Sequence, residues 1–377
     1  MILIGAAAAA AWVYLLLFRG GFWLARERDD RGAPPPVPDL WPSVVAVVPA
    51  RNEADVIARS TGSLVAQDYP GALRIVLVDD ASEDGTAEAA PHAPDRLEVL
   101  RGAPLPKGWT GKLWAMRQGA DRAAELGADF ILFTDADIAH SPDNLTALVA
   151  RSQADRLVLN SLMAQLAVET WADRLMIPAF VFFFSMLYPF AWANDPRRSL
   201  AAAAGGCMLV RRDALEAAGG VSVIRREIID DCALARLMKR EGPIGLRLTR
   251  RAVSLRPYAS FSAIGAMITR SAYAQLNFSP WLLGGTVVGM ALVYLAGPAL
   301  ALFAHGAERW AGVFAWAAMA LAFQPMLRFY HRSPLWGLAL PLIGALYTAF
   351  TFASALATWR GRGGMWKGRA QALGAAS

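Results

Sequence analysis

The sequence predicts an α/β fold built on a parallel sheet and carried by membrane helices. Three observations predict it. Short, largely apolar runs at 44–48, 73–78, 97–100 and 130–133 alternate with helix-length stretches. That is the pattern of buried strands joined by right-handed crossover helices. Carboxylates follow three of these runs: Glu53, the pair Asp79 and Asp80, and the pair Asp135 and Asp137. In a parallel sheet such strand ends share one rim, and the carboxyl ends are where ligands bind in open α/β folds. Thirdly, the apolar excess of the chain is concentrated at 2–18, at 175–193 and from 281 onward, which separates a soluble part from membrane segments.

Composition supports this division. The chain has 377 residues, 55% of them hydrophobic, and a net charge of +6. Arg19, Arg26 and Arg28, then Arg328 and Arg332, then Arg360 and Arg362, cluster beside the apolar blocks. Anionic lipid is therefore a better-motivated partner than nucleic acid, because the aromatic-rich basic patches that nucleic acid needs are absent from the middle of the chain. The two cysteines, Cys207 and Cys232, have no metal-ligand spacing and no disulfide framework; they fit a reducing compartment and read as small buried hydrophobes.

Residues 2–18 are 17 uncharged residues followed by Arg19, long enough for a retained anchor (1–18) whose C-terminal side is cytoplasmic. A Pro-rich linker follows over 19–42, stiffest at Pro34, Pro35 and Pro36. The soluble domain is expected over 43–256. Its first run ends in the turn Pro49 to Glu53, and Val56, Ile57, Leu64 and Val65 are spaced as a helix. Residues 81–86 turn into a short helix, and 112–126 reads as another. Ser141 and Pro142 read as a helix N-cap and first turn. There is no Gly-x-Gly-x-x-Gly after the first strand and no Gly-x-x-x-x-Gly-Lys-Ser/Thr loop, so a dinucleotide site is disfavoured and a P-loop excluded.

Asp135 and Asp137 flank Ala136, so both face one point only if the strand has ended and the chain has turned. Two hard oxygen ligands there suit Mg²⁺ or Mn²⁺ held together with substrate phosphates. The alternative is a pair of solvated strand-end residues. Asp230 and Asp231 open a helix in which Leu234, Leu237 and Met238 recur at helical spacing; ordinary first-turn acidity is the plain account of them.

Several stretches together resemble the family 2 inverting glycosyltransferases: Val-Pro-Ala-Arg-Asn-Glu at 48–53, Val-Asp-Asp-Ala-Ser-Glu-Asp-Gly-Thr at 78–86, Asp-Ala-Asp at 135–137, Gly205 and Gly206 ahead of an apolar strand, and Asp230 and Asp231. Leu-Pro-Lys-Gly-Trp-Thr-Gly-Lys at 105–112 and three C-terminal apolar blocks are similar to the hopanoid-associated members, with ceramide glucosyltransferases as wider relatives. The resemblance covers roughly 43–280. It implies a nucleotide-diphospho-sugar transferase fold of the GT-A type, with a mixed, mainly parallel sheet. It also implies that Pro49, Arg51, Glu53, Asp79 and Asp80 line the nucleoside end of a UDP-sugar, that Asp135 and Asp137 hold a divalent cation on its diphosphate, and that Asp231, with Asp230 beside it, is the general base. Asp230 stands where the family more often has Glu.

For Glu53, a dipole-stabilised helix start is an equal alternative to ligand contact, and one of Asp79 and Asp80 is expected to cap its turn. Asp231 is expected to be kept ionised by its helix N-terminus. Lys107 and Lys112 are read as a lid loop whose lysine meets phosphate, with a solvated loop as the alternative. His92 and His140 are read as surface residues, and Cys232 as packed rather than reactive. Arg225 and Arg226 face phosphate, lipid or water. Gln275 is the nearest approach to the Gln-x-x-Arg-Trp of processive relatives, but Arg and Trp are missing, which argues for addition of a single sugar.

The block 175–193 is apolar enough to span, yet spanning would put Asp135 and Asp231 on opposite faces of the membrane, so it is read as an interfacial or core helix. Residues 257–280 are read as interfacial, 281–304, 310–326 and 335–358 as spans with tryptophans near their ends, and 359–377 as a basic tail. The whole is expected to be an inner-membrane glycosyltransferase with its catalytic domain on the cytoplasmic face, moving a sugar from a UDP-type donor to a membrane lipid hydroxyl. The rivals are a polyprenyl-phosphate sugar transferase, a non-catalytic scaffold and a transporter. The intact carboxylates count against the scaffold, and the uncharged blocks 281–304 and 335–358 count against the transporter.

Overall fold

The computed structural model describes residues 2–258, 260–361, 365–366 and 369–370. Its contacts divide the chain into two compact units, one comprising 1–26, 168–191 and 257–364, the other 27–167, 192–256 and 365–377.

The second unit is an eight-stranded sheet: β1 (Val44–Ala50), β2 (Leu73–Asp79), β3 (Leu97–Arg101), β4 (Phe130–Phe133), β5 (Ile138–His140), β6 (Leu159–Gln165), β7 (Met208–Arg211) and β8 (Ile244–Ser254). The order is β3-β2-β1-β4-β7-β6-β8-β5. β1 pairs in parallel with β2 and β4, β2 with β3, and β6 with β8; β7 runs antiparallel to β4 and β6, and β5 antiparallel to β8. This is the mixed, mainly parallel sheet that the sequence implied. Alternation along β1 sorts its side chains into two cores. Val45 and Val47 pack with Leu113 and Met116 on one face, and Val44, Ala46 and Val48 with Ile57 and Leu64 on the other. All seven residues of β1 are buried, which explains a run with no polar alternation. Helix Gly111–Glu125 lies against β1 so closely that a Cβ on Gly119 would fall 2.2 Å from Val47 Cγ1; glycine is required there.

The chain leaves β1 to one side for β2 and β3, then returns to the other side of β1 for β4. The crevice between the carboxyl ends of β1 and β4 is therefore a topological switch point, where the fold opens a binding cleft.

Two expectations fail locally. Ser141 does not cap a helix: residues 138–140 form β5, and helix Asn144–Ala154 begins only after a turn in which the Asn144 amide donates to Ser141 O. His140 is not on the surface but 5% exposed within that strand. Both departures have one cause, since a three-residue strand is too short to show a period and exists because β8 pairs with it.

Among the described residues of the first unit, three helices are long and apolar enough to cross a membrane: Pro280–Phe303, Gly306–Phe329 and Pro334–Trp359. Helix Ile2–Phe18 buries Ala8 and Trp12 within this unit. Residues Ala291–Ala296 form a π-helical turn inside the first long helix, and the Trp12 indole donates to Val293 O there at 2.8 Å. Helix Trp171–Leu187, expected as interfacial or core, is capped by the Thr170 and Asp173 box and buries eleven of its side chains, among them Phe182 and Phe183. Trp281, Trp310 and Trp359 are exposed near helix ends. Residues 362, 367 and most others of the expected basic tail lie outside the described residues.

Candidate active site

The switch-point rim gathers the acidic residues. Register places Ala50 opposite Asp79, so the turns after β1 and β2 meet. Arg51 ties them together, its Nη1 donating to the carbonyls of Asp80 and, at 2.9 Å, Ala81. Ala81 is held at φ 52°, a left-handed conformation that costs an ordinary side chain about 1 kcal/mol. Asp79 Oδ1 accepts from the Ser82 amide at 3.3 Å, so Asp79 is the turn-capping member of its pair. Buried Arg51 Nε has no acceptor among the described residues. Pro49 is the last residue but one of the buried strand that leads into this turn. Beside it a cavity of about 330 Å³ is lined by Asp79, Ala81, Ser82, Glu88, Arg101 and Gly102. Arg101 and Gly102 come from the end of β3, which carries no carboxylate and so leaves no signal in the sequence.

Glu53 does not start a helix; the helix begins at Ile57. Its carboxylate instead meets Arg256 Nη2 at 2.6 Å, which also reaches Asp55 at 2.6 Å. Arg256 follows β8 and carries no sequence signal of its own, because its neighbours at the rim lie two hundred residues upstream.

The two halves of the Asp-Ala-Asp motif have different surroundings. Asp135 pairs with Lys112 Nζ at 2.8 Å, and the same amine lies 2.9 Å from Asp230. Lys112 lies on the first turn of helix Gly111–Glu125, which Thr110 caps and which matches the helix expected over 112–126; it is not part of a lid loop. Burial alone would pull the Lys112 amine down, but Asp135 and Asp230 outweigh it and hold it charged. Asp137 is drawn toward β8: Leu255 donates its amide to Asp137 O at 2.7 Å, and Ser254 Oγ reaches the carboxylate at 3.3 Å. Burial, then the neighbouring Asp135, raise the Asp137 carboxyl above its ordinary range, with Arg256 opposing.

Asp230 and Asp231 open helix Asp230–Met238 as expected. Asp231 accepts from the Gly205 amide at 3.1 Å and the Cys232 amide at 2.7 Å. It remains ionised at neutral pH, but its carboxyl is shifted up, not down as a helix start alone would have it. Burial and then Asp230 push its carboxyl up to about 6, against the pull of Lys112 and the two amides. The helix-start argument counts the dipole and omits desolvation. A Cβ on Gly205 would lie 3.3 Å from Lys112 Nζ and 3.6 Å from Asp135 Oδ2, so glycine leaves the centre of the cluster open.

The remaining residues sort simply. Cys207 and Cys232 are buried, and burial pushes the Cys207 thiol up to about 12, which leaves it unreactive. His92 is exposed, as expected. Arg225 and Arg226 are exposed on the loop whose Arg225 carbonyl accepts from the Thr110 amide. Among the described residues no cluster of three or more His, Cys, Asp or Glu forms a ready metal cage.

Residues 45–219 match the family model of glycosyl transferase family 2. The match covers a little under half of the chain and takes in β1 to β7. Curated relatives carry names of the same chemistry. An N-acetylglucosaminyltransferase of Mesorhizobium japonicum is 32% identical over 48% of this chain and 42% of its own length, and one of Rhizobium leguminosarum bv. viciae is 31% identical over 46% and 40%. The chain thus spans about two fifths of the curated relatives it matches. Among solved structures, a mannosyltransferase from Pyrobaculum calidifontis in complex with GDP-Man and Mn²⁺ superposes with a TM-score of 0.55 at 21% identity, over 94% of this chain and 98% of that one. This likeness shows the fold alone, which is of the GT-A type.

Proposed function

We propose that the chain is a membrane-anchored, inverting glycosyltransferase that moves one sugar from a UDP-sugar to the hydroxyl of a membrane lipid at the cytoplasmic face. The observation that carries this reading is the convergence of Asp135, Lys112, Asp230 and Asp231 on one patch of the switch-point rim, with Gly205 leaving its centre open. N-acetylglucosamine is a natural first sugar to test, given the curated relatives.

The nucleoside fits the cavity between the ends of β2 and β3, where carboxylates accept from ribose hydroxyls and the uracil N–H. Asp135 and Asp137 fit a divalent cation of the Mg²⁺ or Mn²⁺ kind. They supply two hard oxygens, the proximity of which raises Asp137, and such ions take one or two carboxylates and complete their shell with phosphate and water. When bound, the ion would neutralise charge on the departing nucleoside diphosphate. Lys112 stands ready as a second positive charge for the same oxygens. Asp231 then removes the proton of the acceptor hydroxyl as that oxygen attacks C1 from the face opposite the diphosphate, so the anomeric centre inverts in a single displacement. A carboxyl near 6 is ionised at cytoplasmic pH yet basic enough to take the proton.

The lipid acceptor rests on the three long apolar helices and, for a hopanoid-related lipid, on the motif resemblance at 105–112. The test is calorimetry on the detergent-purified protein with UDP, GDP and their glucose, N-acetylglucosamine and mannose forms, each with Mn²⁺ and with EDTA, beside Asp135→Ala. Metal-dependent UDP binding that the variant loses supports the donor assignment, and lipid extracts then identify the acceptor. Absence of nucleotide binding with every base and metal overturns it.

A further inference from the structure

The geometry points to Thr134 and His140 as positioning residues that hold the donor-side carboxylate Asp135 and the general base Asp231 in register. The inference rests on the roles given to those two aspartates above.

Thr134 is the residue between the end of β4 and Asp135, and it is 1% exposed. Its hydroxyl donates to Gly206 O at 2.8 Å and lies 2.9 Å from His140 Nε2. A hydroxyl has one proton. Because that proton goes to Gly206, the imidazole must donate at Nε2, and its Nδ1 must accept, as it does from Asn144 Nδ2 at 2.9 Å. The bonds therefore run in one direction, Asn144 to His140 to Thr134 to Gly206, through side chains that are all buried.

Most buried polar chains do no more than satisfy one another. The two ends set this one apart. At one end, Thr134 is bonded to Asp135. At the other, Gly206 follows Gly205, whose amide donates to Asp231 Oδ2 at 3.1 Å. One hydroxyl thus joins the strand carrying the donor-side carboxylate to the peptide that grips the base. The second tether of this loop, Ser161 Oγ to the amide and carbonyl of Ala204, comes from β6 and does not involve β4. Among the described residues, only the Thr134 link ties the loop to the Asp-Ala-Asp strand end by a side chain. A transferase must place donor C1 and acceptor oxygen within a fraction of an ångström, so slack in this link lowers turnover more than donor affinity.

The test uses the full chain in detergent and two readouts, transfer kinetics and hydrogen exchange of the segment 203–207. Thr134→Val keeps the shape and removes the hydroxyl; His140→Leu removes the donor. In Thr134→Ser the hydroxyl returns, and in His140→Gln the amide nitrogen reaches the place of Nε2. Ser152→Ala, which removes a buried hydroxyl from helix Asn144–Ala154 away from this loop, controls for lost stability. We expect Thr134→Val and His140→Leu to lower kcat about tenfold or more, with donor KM within about threefold, and to speed exchange at Gly205 several-fold. The Ser and Gln variants restore both, and Ser152→Ala changes neither. Wild-type kcat and exchange in Thr134→Val, or an equal kcat loss in Ser152→Ala, overturns the inference. If the wild-type protein transfers no sugar, the functional reading fails on its own, and exchange at Gly205 still decides whether Thr134 holds the loop.

Discussion

Replacing Lys112 with methionine tests the centre of the site. The side chain keeps its length and loses its charge, so Asp135 and Asp230 are left facing each other beside Asp231. At separations of 2.8 and 2.9 Å and an effective dielectric constant of about 20, each ion pair has a gross attraction of about 6 kcal/mol. Desolvation cancels much of that. Breaking a buried pair typically costs about 3–5 kcal/mol, and the Asp135 side chain is 35% exposed, so we expect a loss near the low end, about 2–3 kcal/mol. That corresponds to about 5–10 °C in Tm for a domain of this size. The same amine pulls the Asp231 carboxyl down. Its removal should therefore move the acid limb of kcat from about 6 toward neutrality, and through that shift lower kcat at pH 7 about twofold. Thermal unfolding at pH 7.5 and a pH profile of transfer, each beside Lys112→Arg, read both effects. An unchanged Tm together with an acid limb still near 6 would refute the pairing and its electrostatic consequence.

Three other outcomes are expected. Asp231→Asn should reduce kcat by about 10²–10⁴ while leaving UDP affinity within about threefold, and the wild-type rate should climb as pH rises through about 6, since the base works only when ionised; a flat profile between pH 5 and 7 would remove Asp231 from that role. Burial lowers the His140 imidazole to about 4 from its ordinary 6.5, so the unfolded chain takes up the proton first. The stability contributed is complete above 6.5 and drains away as pH falls toward 4, by about 3 kcal/mol in all, and His140→Gln should therefore flatten the Tm decline between pH 7 and 5. Trp12→Phe keeps the ring and removes the N–H donor to Val293 O; a loss of about 1–3 kcal/mol should show as a lower Tm in detergent, with donor affinity unchanged.

The legible part of this protein is the part whose signals are local. A strand running into carboxylates states both its end and its chemistry within eight residues, and so Glu53, Asp79, Asp80, Asp135 and Asp137 can be assigned to one rim from the amino-acid sequence alone. The fold class follows from the same alternation. What lies hidden is set by pairing between distant segments. β5 owes its existence to β8, and with it go the burial of His140 and the company that Asp137 keeps with Ser254. Arg256 reaches Glu53 across about two hundred residues, a distance at which no spacing rule speaks. Lys112 is legible as a functional residue at a helix start, but its bridge between Asp135 and Asp230 is not, because Asp230 lies far along the chain. The ionisation of Asp231 escapes the sequence because a helix-end argument can be made from residue order and a desolvation argument cannot.

The π turn at Ala291–Ala296 has a consequence for how the protein is made. A wider turn leaves a carbonyl without its usual partner inside the helix, and in an apolar setting such a group costs several kcal/mol. Val293 finds its donor in Trp12, a residue that leaves the ribosome 281 positions earlier. Trp12 must therefore wait, with its partner unmade, until Val293 arrives. Formation of helix Ile2–Phe18 and closure of the unit around it are separate events in time, and anything that releases the chain between them releases it with an open seam.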